Sequence, residues 1–530
     1  MSSPFDFDLV VKNGFIVTAS DTVRADIGVK DGKVVLLMAN IPVPDSCVVI
    51  DAEGGFVTPG LIDSHVHIAQ SAAKSLGAKS ADNWTTASQS AIAGGCTTVI
   101  AFAVQNRGTS MQAAVDAYHD LAVNNAVCDY SFHVIVTDPS EEQMHIELPK
   151  LIEQGITSVK IYSTYPALKL SDEEILNTFY AARQYGVTVM VHAENSDMIA
   201  WMTRDLAERG MTEPWHHGTS RPPIIESEAT NRVLALSELM DCPVLFVHVS
   251  APDAFKVIRE AQTRLMSVYA ETCPHYLLLT AQEMKAPGFE GAKACCAPPL
   301  RENSEDRERV WENTVNGTVT VVSSDHAPTK YHDEFGKQVH PIPLRDGLPR
   351  TEDLVEQLGL TKNPGKNPRG DFRYIPNGLP GVETRGPLMW SEGVCKGRMS
   401  PNKFVELNCT NAAKLYGMYP QKGTIQPGSD ADFVIWRSPS ARKTSKVTVK
   451  NLHSACDYTP FEGHDIEDWP VLTILRGKIV YDGKTNDVVA EPGYGAFLKR
   501  GKSSLQGPRN KWLSEWRPRY MDDQAKANGA

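Results

Sequence analysis

Several common features are missing from this sequence, and each absence excludes a class of protein. No stretch approaches the roughly 20 apolar residues that a membrane-spanning helix needs. The N-terminus has neither a basic segment nor an apolar core, so we expect no secretion signal. Basic residues are not in excess, and the formal net charge is −11. An acidic surface repels phosphate backbones and anionic lipid, which argues against nucleic-acid and membrane partners.

Paired cysteines are missing as well. The ten cysteines are scattered through 530 residues, and no CxxC pair occurs among them. This usage is typical of reduced, buried thiols, so we expect a cytoplasmic protein without a disulfide framework. The adjacent Cys295 and Cys296 are interpreted as core side chains.

What is present begins with β-rich segments at both ends of the chain. Residues 8–14 and 15–17 predict a hairpin around Asn13-Gly14, and residues 26–32 and 34–37 predict a second hairpin. Residues 432–436 and 471–481 look similar. Because sheets of two or three strands are marginal alone, both ends are predicted to form one composite β-domain.

In the middle of the chain, apolar strand runs alternate with helical patterns, which indicates βα units and a parallel sheet. The helix before the fifth strand has a capping box at Ser171 and Glu174 and ends at Gly186. Further helices are expected near 400–418. Eight strands are the number that closes a (β/α)₈ barrel. The predicted strands lie near 61–67, 97–103, 130–136, 156–163, 187–192, 244–249, 267–272 and 318–324.

The strongest chemical signal is Asp63-Ser-His65-Val-His67, at the end of the first predicted barrel strand. Side chains two residues apart on a strand share one face, so His65 and His67 are predicted to point into the barrel. Two such imidazoles can chelate one divalent ion. Two core or surface histidines are the alternative interpretation.

Three other strand ends also carry a metal-competent side chain: His192 after strand five, His248 after strand six and Asp325 after strand eight. Taken singly, each is more often an ordinary polar residue. The carboxyl ends of barrel strands meet at one rim, so four such strand ends together predict a metal site.

Lys160 lies at the end of strand four. A lysine in a strand usually extends outward or pairs with a carboxylate. If it points into the barrel, desolvation lowers its pKa and exposes a neutral amine. Such an amine can add carbon dioxide to form a carbamate that bridges two metals. Four histidines and one aspartate carry too little charge for two divalent ions and a hydroxide, which motivates this hypothesis.

Other polar residues carry weaker signals. The phenol of Tyr165 could donate to a developing oxyanion, although a loop aromatic is the simpler interpretation. Asn377 is interpreted as a turn residue by default. His216, His217 and His275 have no partner at a suitable spacing and are treated as structural.

Together these residues resemble the amidohydrolase superfamily, and within it the dihydropyrimidinase and hydantoinase family. The likeness covers nearly the whole chain. It includes Gly94-Gly-Cys-Thr-Thr98, His192-Ala-Glu-Asn195, Glu271-Thr-Cys-Pro-His-Tyr276, Pro298-Pro-Leu-Arg301 and Asn377-Gly-Leu-Pro-Gly381. Fungal dihydropyrimidinases look most similar, through Met418-Tyr-Pro-Gln-Lys-Gly423 and Cys456-Asp-Tyr-Thr-Pro-Phe-Glu-Gly463.

The resemblance implies a homotetramer of a distorted (β/α)₈ barrel at 59–420, with a β-sandwich from 1–58 and 421–484. The tail at 485–530 could lie on a neighbouring subunit. Each subunit would hold two zinc ions bridged by carboxylated Lys160 and a hydroxide. The implied zinc ligands are His65, His67 and Asp325 for one ion, and His192 and His248 for the other.

The resemblance also implies how a small cyclic amide is opened to an N-carbamoyl amino acid. Tyr165 would stabilise the oxyanion, and Asp325 would carry the proton to the leaving nitrogen. The backbone at Ala297 and Asn377 would bind the ring's amide and imide edge. The usual acidic residue and proline after the HxH motif are absent here, and the run after Lys160 is more polar. These differences concern the part of the site that contacts the ring substituent, for which the candidates are Leu76, Tyr162 and Leu168.

Two alternatives remain open at this point. A related cyclic imide or lactam hydrolase, or an allantoinase-like enzyme, has similar metal chemistry. Dihydroorotases and allantoinases typically place an arginine soon after the HxH motif, and none occurs here between His67 and Arg107. A non-catalytic scaffold of the collapsin response mediator type shares the fold but lacks the ligands that this chain keeps.

Overall fold

The structure is a computed structural model that describes residues 6–43, 47–70, 80–333, 336–338, 371–505, 507–509 and 519. Eight parallel strands lie side by side in chain order, and a bridge between Val66 and His326 joins the last to the first. This is the predicted (β/α)₈ barrel, and each strand overlaps its predicted segment. The strands are Leu61–Val66, Cys96–Val104, Asp129–Ile135, Ser158–Tyr162, Thr188–His192, Val244–Phe246, Val268–Thr272 and Val321–Val322.

Helices cover the outside of the barrel. The helix Asp172–Tyr185 begins as predicted, because Ser171 and Glu174 each accept a hydrogen bond from the other's backbone N–H, and it ends at Gly186, where φ is 76°. Short helical segments between residues 401 and 415 confirm the helices expected near 400–418. The other α-helices of more than five residues are Trp84–Ala93, Met111–Ala122, Leu148–Glu153, Ser196–Glu208, Pro223–Met240, Pro252–Thr263, Ser304–Val315 and Val382–Leu388.

Both ends of the chain contribute to one seven-stranded sheet, which confirms the composite β-domain. Phe433–Trp436 from the C-terminal part pairs antiparallel with Phe56–Pro59 from the N-terminal part. In spatial order the strands are Asp487–Val488, Lys478–Asp482, Leu472–Leu475, Phe433–Trp436, Phe56–Pro59, Phe15–Val17 and Thr22–Arg24.

A four-stranded sheet packs on this composite sheet. Its strands in order are Lys33–Met38, Asp26–Lys30, Leu9–Lys12 and Val48–Asp51. The two sheets share an apolar core to which Leu9, Ile27, Val57 and Phe433 contribute. Burial of both inner faces gives the β-sandwich that neither end of the chain could form alone.

The predicted hairpin around Asn13-Gly14 is wrong. Leu9–Lys12 lies in the four-stranded sheet and Phe15–Val17 in the composite sheet, so the chain turns a corner between them. Gly14 lies so close to the composite sheet that a Cβ there would be 2.6 Å from Val57. The second predicted hairpin is confirmed, with Asp31 and Gly32 at φ 50° and 71° in the turn between its strands.

The described part of the C-terminal tail lies on the barrel of its own chain. Leu498 N–H donates to the Tyr130 carbonyl, and Arg500 N–H donates to the Gly155 carbonyl. These contacts close the amino ends of the barrel strands and leave the carboxyl ends open. Contact between this tail and another subunit stays a prediction. Within the residues described, no helix has the length and apolar character needed to cross a bilayer.

Candidate metal centre and substrate cavity

A cavity of about 310 Å³ opens at the carboxyl ends of the barrel strands. This volume falls at the small end of the range typical of small-molecule sites. Leu76 lies outside the described residues. The remaining sequence-predicted residues all line the cavity: His65, His67, Lys160, Tyr162, Tyr165, Leu168, His192, His248, Ala297, Asp325 and Asn377.

The predicted ligands from the first and last strands converge on one point. Asp325 Oδ1 lies 3.2 Å from His65 Nε2 and 3.3 Å from His67 Nε2. Potential ligand atoms of His65, His248 and Asp325 all lie within 4.8 Å of one another. The strand period that places positions i and i+2 on one face therefore brings both histidines of the HxH motif to the same carboxylate.

The other two histidines lie beside this group. The His192 ring centre is 4.3 Å from that of His248, which in turn is 5.4 Å from that of His65. Lys160 Nζ is 3.4 Å from His65 Nε2. Side chains from five different strand ends thus form one buried cluster, named here the mouth cluster: His65, His67, Lys160, His192, His248 and Asp325.

The chemistry of the mouth cluster fits divalent cations. Burial lowers the pKa of His67, His192 and His248, so these rings are neutral and offer nitrogen lone pairs. His248 Nδ1 is buried and has no hydrogen-bond partner in the described part of the chain. Neutral imidazoles and one carboxylate are ligands that zinc prefers.

Two residues of the mouth cluster also have strained backbones. His248 has a φ of 40° and Asp325 a φ of 47°. Non-glycine residues rarely adopt this left-handed region, and such strain concentrates at functional sites. The surrounding fold thus holds both side chains in orientations that an ordinary strand end would not give.

Lys160 is fully buried and points into the barrel, as predicted. Burial lowers its pKa to about 8, although the charges of Asp325 and Glu271 oppose this shift. At pH 7 about a tenth of the amine is therefore unprotonated, far more than for an ordinary lysine. A neutral amine is the form that adds carbon dioxide.

Sequence reasoning missed the residues that orient these histidines. His65 Nδ1 lies 2.6 Å from Glu271 Oε1, and Ser323 Oγ donates to Glu271 Oε2 at 2.9 Å. A carboxylate on one ring nitrogen fixes the tautomer and leaves the other nitrogen, Nε2, for a metal. Glu271 belongs to a motif already noted at the end of strand seven, but only the closed barrel places it against His65.

A second carboxylate orients His192. Glu194 Oε2 lies 2.7 Å from His192 Nε2 and accepts a hydrogen bond from Arg221 at 2.6 Å. Burial acts to raise the pKa of Glu194, but Arg221 and His192 lower it to about 2. Spacing could have revealed this residue, since Glu194 follows His192 by two positions in the chain.

Tyr165 lies in the loop after strand four and faces the cavity. Its phenol lines the cavity and accepts a hydrogen bond from Asn377 Nδ2 at 3.3 Å. Burial raises the pKa of Tyr165 to about 12, so the hydroxyl keeps its proton and can donate it in a hydrogen bond. Its φ of 59° is a third strained backbone position in the cavity wall.

Comparison with known proteins places this arrangement in a family. The model described as "Amidohydrolase family" matches residues 56–480. D-hydantoinase from Ralstonia pickettii is 39% identical over 496 residues, which cover 93% of this chain and 99% of that protein. D-phenylhydantoinase from Escherichia coli is 33% identical over 494 residues, covering 93% of this chain and 98% of that protein.

Solved structures agree with this likeness. The crystal structure of dihydropyrimidinase from Brevibacillus agri superposes with a TM-score of 0.83 at 35% identity, covering 94% of this chain and 99% of that one. L-hydantoinase (dihydropyrimidinase) from Arthrobacter aurescens gives a TM-score of 0.77 at 30% identity, covering 93% of this chain and 100% of that one. The expected likeness to fungal enzymes in particular stays a prediction. From the fold, the cavity and these relatives together, the chain belongs to the amidohydrolase family and is similar to its hydantoinases and dihydropyrimidinases.

Proposed function

We propose that this protein is a binuclear metal-dependent hydrolase that opens the ring amide of hydantoins or dihydropyrimidines to N-carbamoyl amino acids. The convergence of the mouth cluster with the Tyr165 phenol in one cavity carries the proposal. Relatives named D-hydantoinase and dihydropyrimidinase, similar to this chain over nine-tenths of its length, support it.

The mouth cluster would hold two divalent ions, and its donor set favours zinc. His65, His67 and Asp325 would bind one ion, His192 and His248 the other, and Lys160 would bridge them as its carbamate. Glu271 and Glu194 would hold His65 and His192 in the tautomers that binding needs. When bound, the ions polarise the ring carbonyl and lower the pKa of water so that hydroxide is available near neutral pH.

Asp325 and Tyr165 would carry out the remaining chemistry. Asp325 accepts the proton of the attacking hydroxide and transfers it to the leaving ring nitrogen. Burial acts to raise the pKa of Asp325, but the neighbouring His65 and His67 rings hold it below its ordinary value, so the carboxylate is ready to accept. The Tyr165 hydroxyl donates to the oxygen on which negative charge develops.

The backbone around Ala297 and Asn377 would bind the ring. Both residues line the cavity, and Gly378 N–H donates to the Cys295 carbonyl at 3.3 Å, which ties the two segments together. Tyr162 and Leu168 also line the cavity and stay our candidates for contact with the ring substituent.

The charges in the cavity wall favour a neutral ring over a substrate that carries a carboxylate. Arg221 is paired with Glu194 at 2.6 Å, and Arg373 is paired with Asp371 at 2.5 Å. Arginines neutralised in this way are poorly available to a substrate anion. Together with the missing arginine after the HxH motif, this disfavours dihydroorotase activity; the missing arginine alone counts against allantoinase activity, because allantoin is uncharged.

A side-by-side assay tests the proposal. The zinc-loaded protein is given dihydrouracil, 5-substituted hydantoins, allantoin and cyclic imides at equal concentration. We expect hydantoins and dihydrouracil to be opened with the highest kcat/KM. Faster turnover of allantoin or of a cyclic imide would favour the alternative hydrolase. No turnover of any ring, together with failure of the protein to retain stoichiometric zinc during loading, would favour the scaffold.

Two finer expectations belong to this proposal. The resemblance implies a homotetramer, which light scattering on the purified protein tests directly. Cysteine usage implies a cytoplasmic protein, which a fluorescent fusion to the full chain would test.

A further inference from the structure

The backbone of Ala297, in the cavity wall, has polar groups that find no partner in the described part of the chain. Ala297 is only 6% exposed and lines the cavity. Within the described residues, neither its N–H nor its carbonyl has a hydrogen-bond partner. Buried backbone groups are nearly always paired, so these two groups, unpaired among the described residues, are available to a molecule bound in the cavity.

The carbonyl of the peptide between Cys296 and Ala297 is hydrogen-bonded to a histidine. His217 Nε2 lies 2.7 Å from the carbonyl oxygen of Cys296. A carbonyl only accepts hydrogen bonds, so Nε2 carries the proton and donates it. The neighbouring Cys295 carbonyl accepts from Lys337 Nζ at 2.6 Å, and the Pro298 carbonyl accepts from the Tyr276 hydroxyl at 2.6 Å.

Planarity of the peptide links this contact to the cavity. The Cys296 carbonyl and the Ala297 N–H belong to the same planar unit and point in opposite directions. A donor that holds the carbonyl oxygen therefore also fixes the direction of the N–H. His217 itself is 3% exposed and lines the same cavity.

His217 donates as a neutral ring. Burial lowers its pKa to about 3, and the charge of Arg221 acts in the same direction. The ring is therefore neutral near pH 7, and its proton on Nε2 is the donor to Cys296. The interpretation of this residue as merely structural does not account for its hydrogen bond to the peptide whose Ala297 N–H has no partner among the described residues.

We propose that His217 is a positioning residue, which holds the Cys296–Ala297 peptide so that the Ala297 N–H points at a carbonyl oxygen on the imide edge of the substrate ring. This inference rests on the proposed function, because it assumes a ring with an imide edge in the cavity. It assigns His217 to substrate binding rather than to the metal ions or to proton transfer.

Two substitutions separate positioning from packing. His217→Leu preserves the bulk of the side chain but removes the hydrogen-bond donor. His217→Gln keeps an N–H near the place of Nε2. With hydantoin and dihydrouracil we expect His217→Leu to raise KM about tenfold, the effect of one lost hydrogen bond, while kcat and metal content stay within about twofold of wild type. His217→Gln should restore most of the KM.

The adjacent His216 provides a matched control. It is 7% exposed, and its Nδ1 has no hydrogen-bond partner among the described residues. His216→Leu should leave KM unchanged. A wild-type KM in His217→Leu would overturn the inference. Equal losses in His217→Leu and His217→Gln, together with a lowered Tm, would also overturn it and assign the residue to packing.

Failure of the proposed function would look different. If the wild-type protein opens none of the rings, the function is wrong, and the positioning claim is then decided by crystal structures of the two variants. We expect the Cys296–Ala297 peptide to rotate in His217→Leu and to keep its orientation in His217→Gln. An unmoved peptide in His217→Leu would refute the inference whatever the substrate.

Discussion

Two buried charged clusters lie at opposite ends of the same barrel. The mouth cluster lies at the carboxyl ends of the strands. At the amino ends, Lys422 Nζ lies 2.7 Å from Asp129, 3.0 Å from Asp430 and 2.6 Å from Asp432. Each end brings together a group of side chains whose geometry suits a cation: His65, His248 and Asp325 at the mouth, and the three aspartates at the base.

The difference lies in whether the protein supplies the cation itself. Burial alone would lower the pKa of Lys422, but Asp432 and Asp430 raise it above its ordinary value, so the ammonium stays charged. Lys160 at the mouth has a lowered pKa, and the histidines around it are neutral. The base cluster of Lys422 and its three aspartates therefore has its cations within the chain, since Arg476 also pairs with Asp129 and Lys33 with Asp430. The mouth cluster instead offers neutral donors and one carboxylate, a set that suits a metal ion.

The largest effect is expected from Asp325→Ala, which removes a metal ligand and the proton carrier together. The variant should fold, while kcat falls by about a thousandfold or more, near the upper range for general acid–base catalysis. Steady-state kinetics with circular dichroism measures both properties. Retention of the wild-type rate would refute the proposed mechanism and remove the distinction between the two clusters.

The proposed carbamate of Lys160 gives a second prediction. Native mass spectrometry should find the subunit heavier than its sequence by one carbon dioxide. Because the pKa of Lys160 is lowered to about 8, the amine is protonated below that pH and cannot add carbon dioxide. At constant dissolved carbon dioxide, the rate of reactivation of decarboxylated protein should rise about tenfold per pH unit below pH 8 and level off above it. A bare Lys160 in the metal-loaded protein would disprove the carbamate.

Substitution of Glu271 by glutamine should weaken metal binding more moderately. The carboxylate that orients His65 would be replaced by an amide, and loss of such a partner typically costs 10- to 100-fold in metal affinity. Competition with a chelator measures the change. Glu383→Gln is the matched control, because Glu383 forms a buried pair with His453 at 2.9 Å that belongs to neither cluster. Equal affinities in both variants would contradict the assigned role of Glu271.

The smallest effect on activity is expected from Lys422→Met. Three buried carboxylates would lose their shared ammonium, so the free energy of unfolding should fall by about 3–5 kcal/mol. Metal content and kcat of the folded fraction should not change, because the base cluster is remote from the cavity. Denaturant unfolding and metal analysis test the two halves of this prediction. Loss of metal from Lys422→Met would mean that the two clusters are not independent.

Local patterns predicted the residues of the mouth cluster because each lies at or just after the end of a strand that is recognisable in the sequence. The HxH spacing placed His65 and His67 on one face, and the capping box located the helix Asp172–Tyr185. Turn residues alone were insufficient at Asn13-Gly14, where packing against Val57 directs the chain into a second sheet.

Contacts between distant segments could not be predicted in the same way. Glu271 reaches His65 across 206 positions of the chain, and Lys422 reaches Asp129 across 293. His217 lies just before the long helix Pro223–Met240, and its contact with Cys296 exists only in the folded chain. These partners orient the predicted residues, and they become visible only once the barrel closes.

The most direct test is anomalous diffraction from crystals of the protein purified with zinc. The two clusters should differ: two peaks at the mouth, one beside His65 and Asp325 and one beside His192 and His248, and no peak among Asp129, Asp430 and Asp432. The absence of peaks at the mouth, or zinc bound at the base in place of the Lys422 ammonium, would contradict the account.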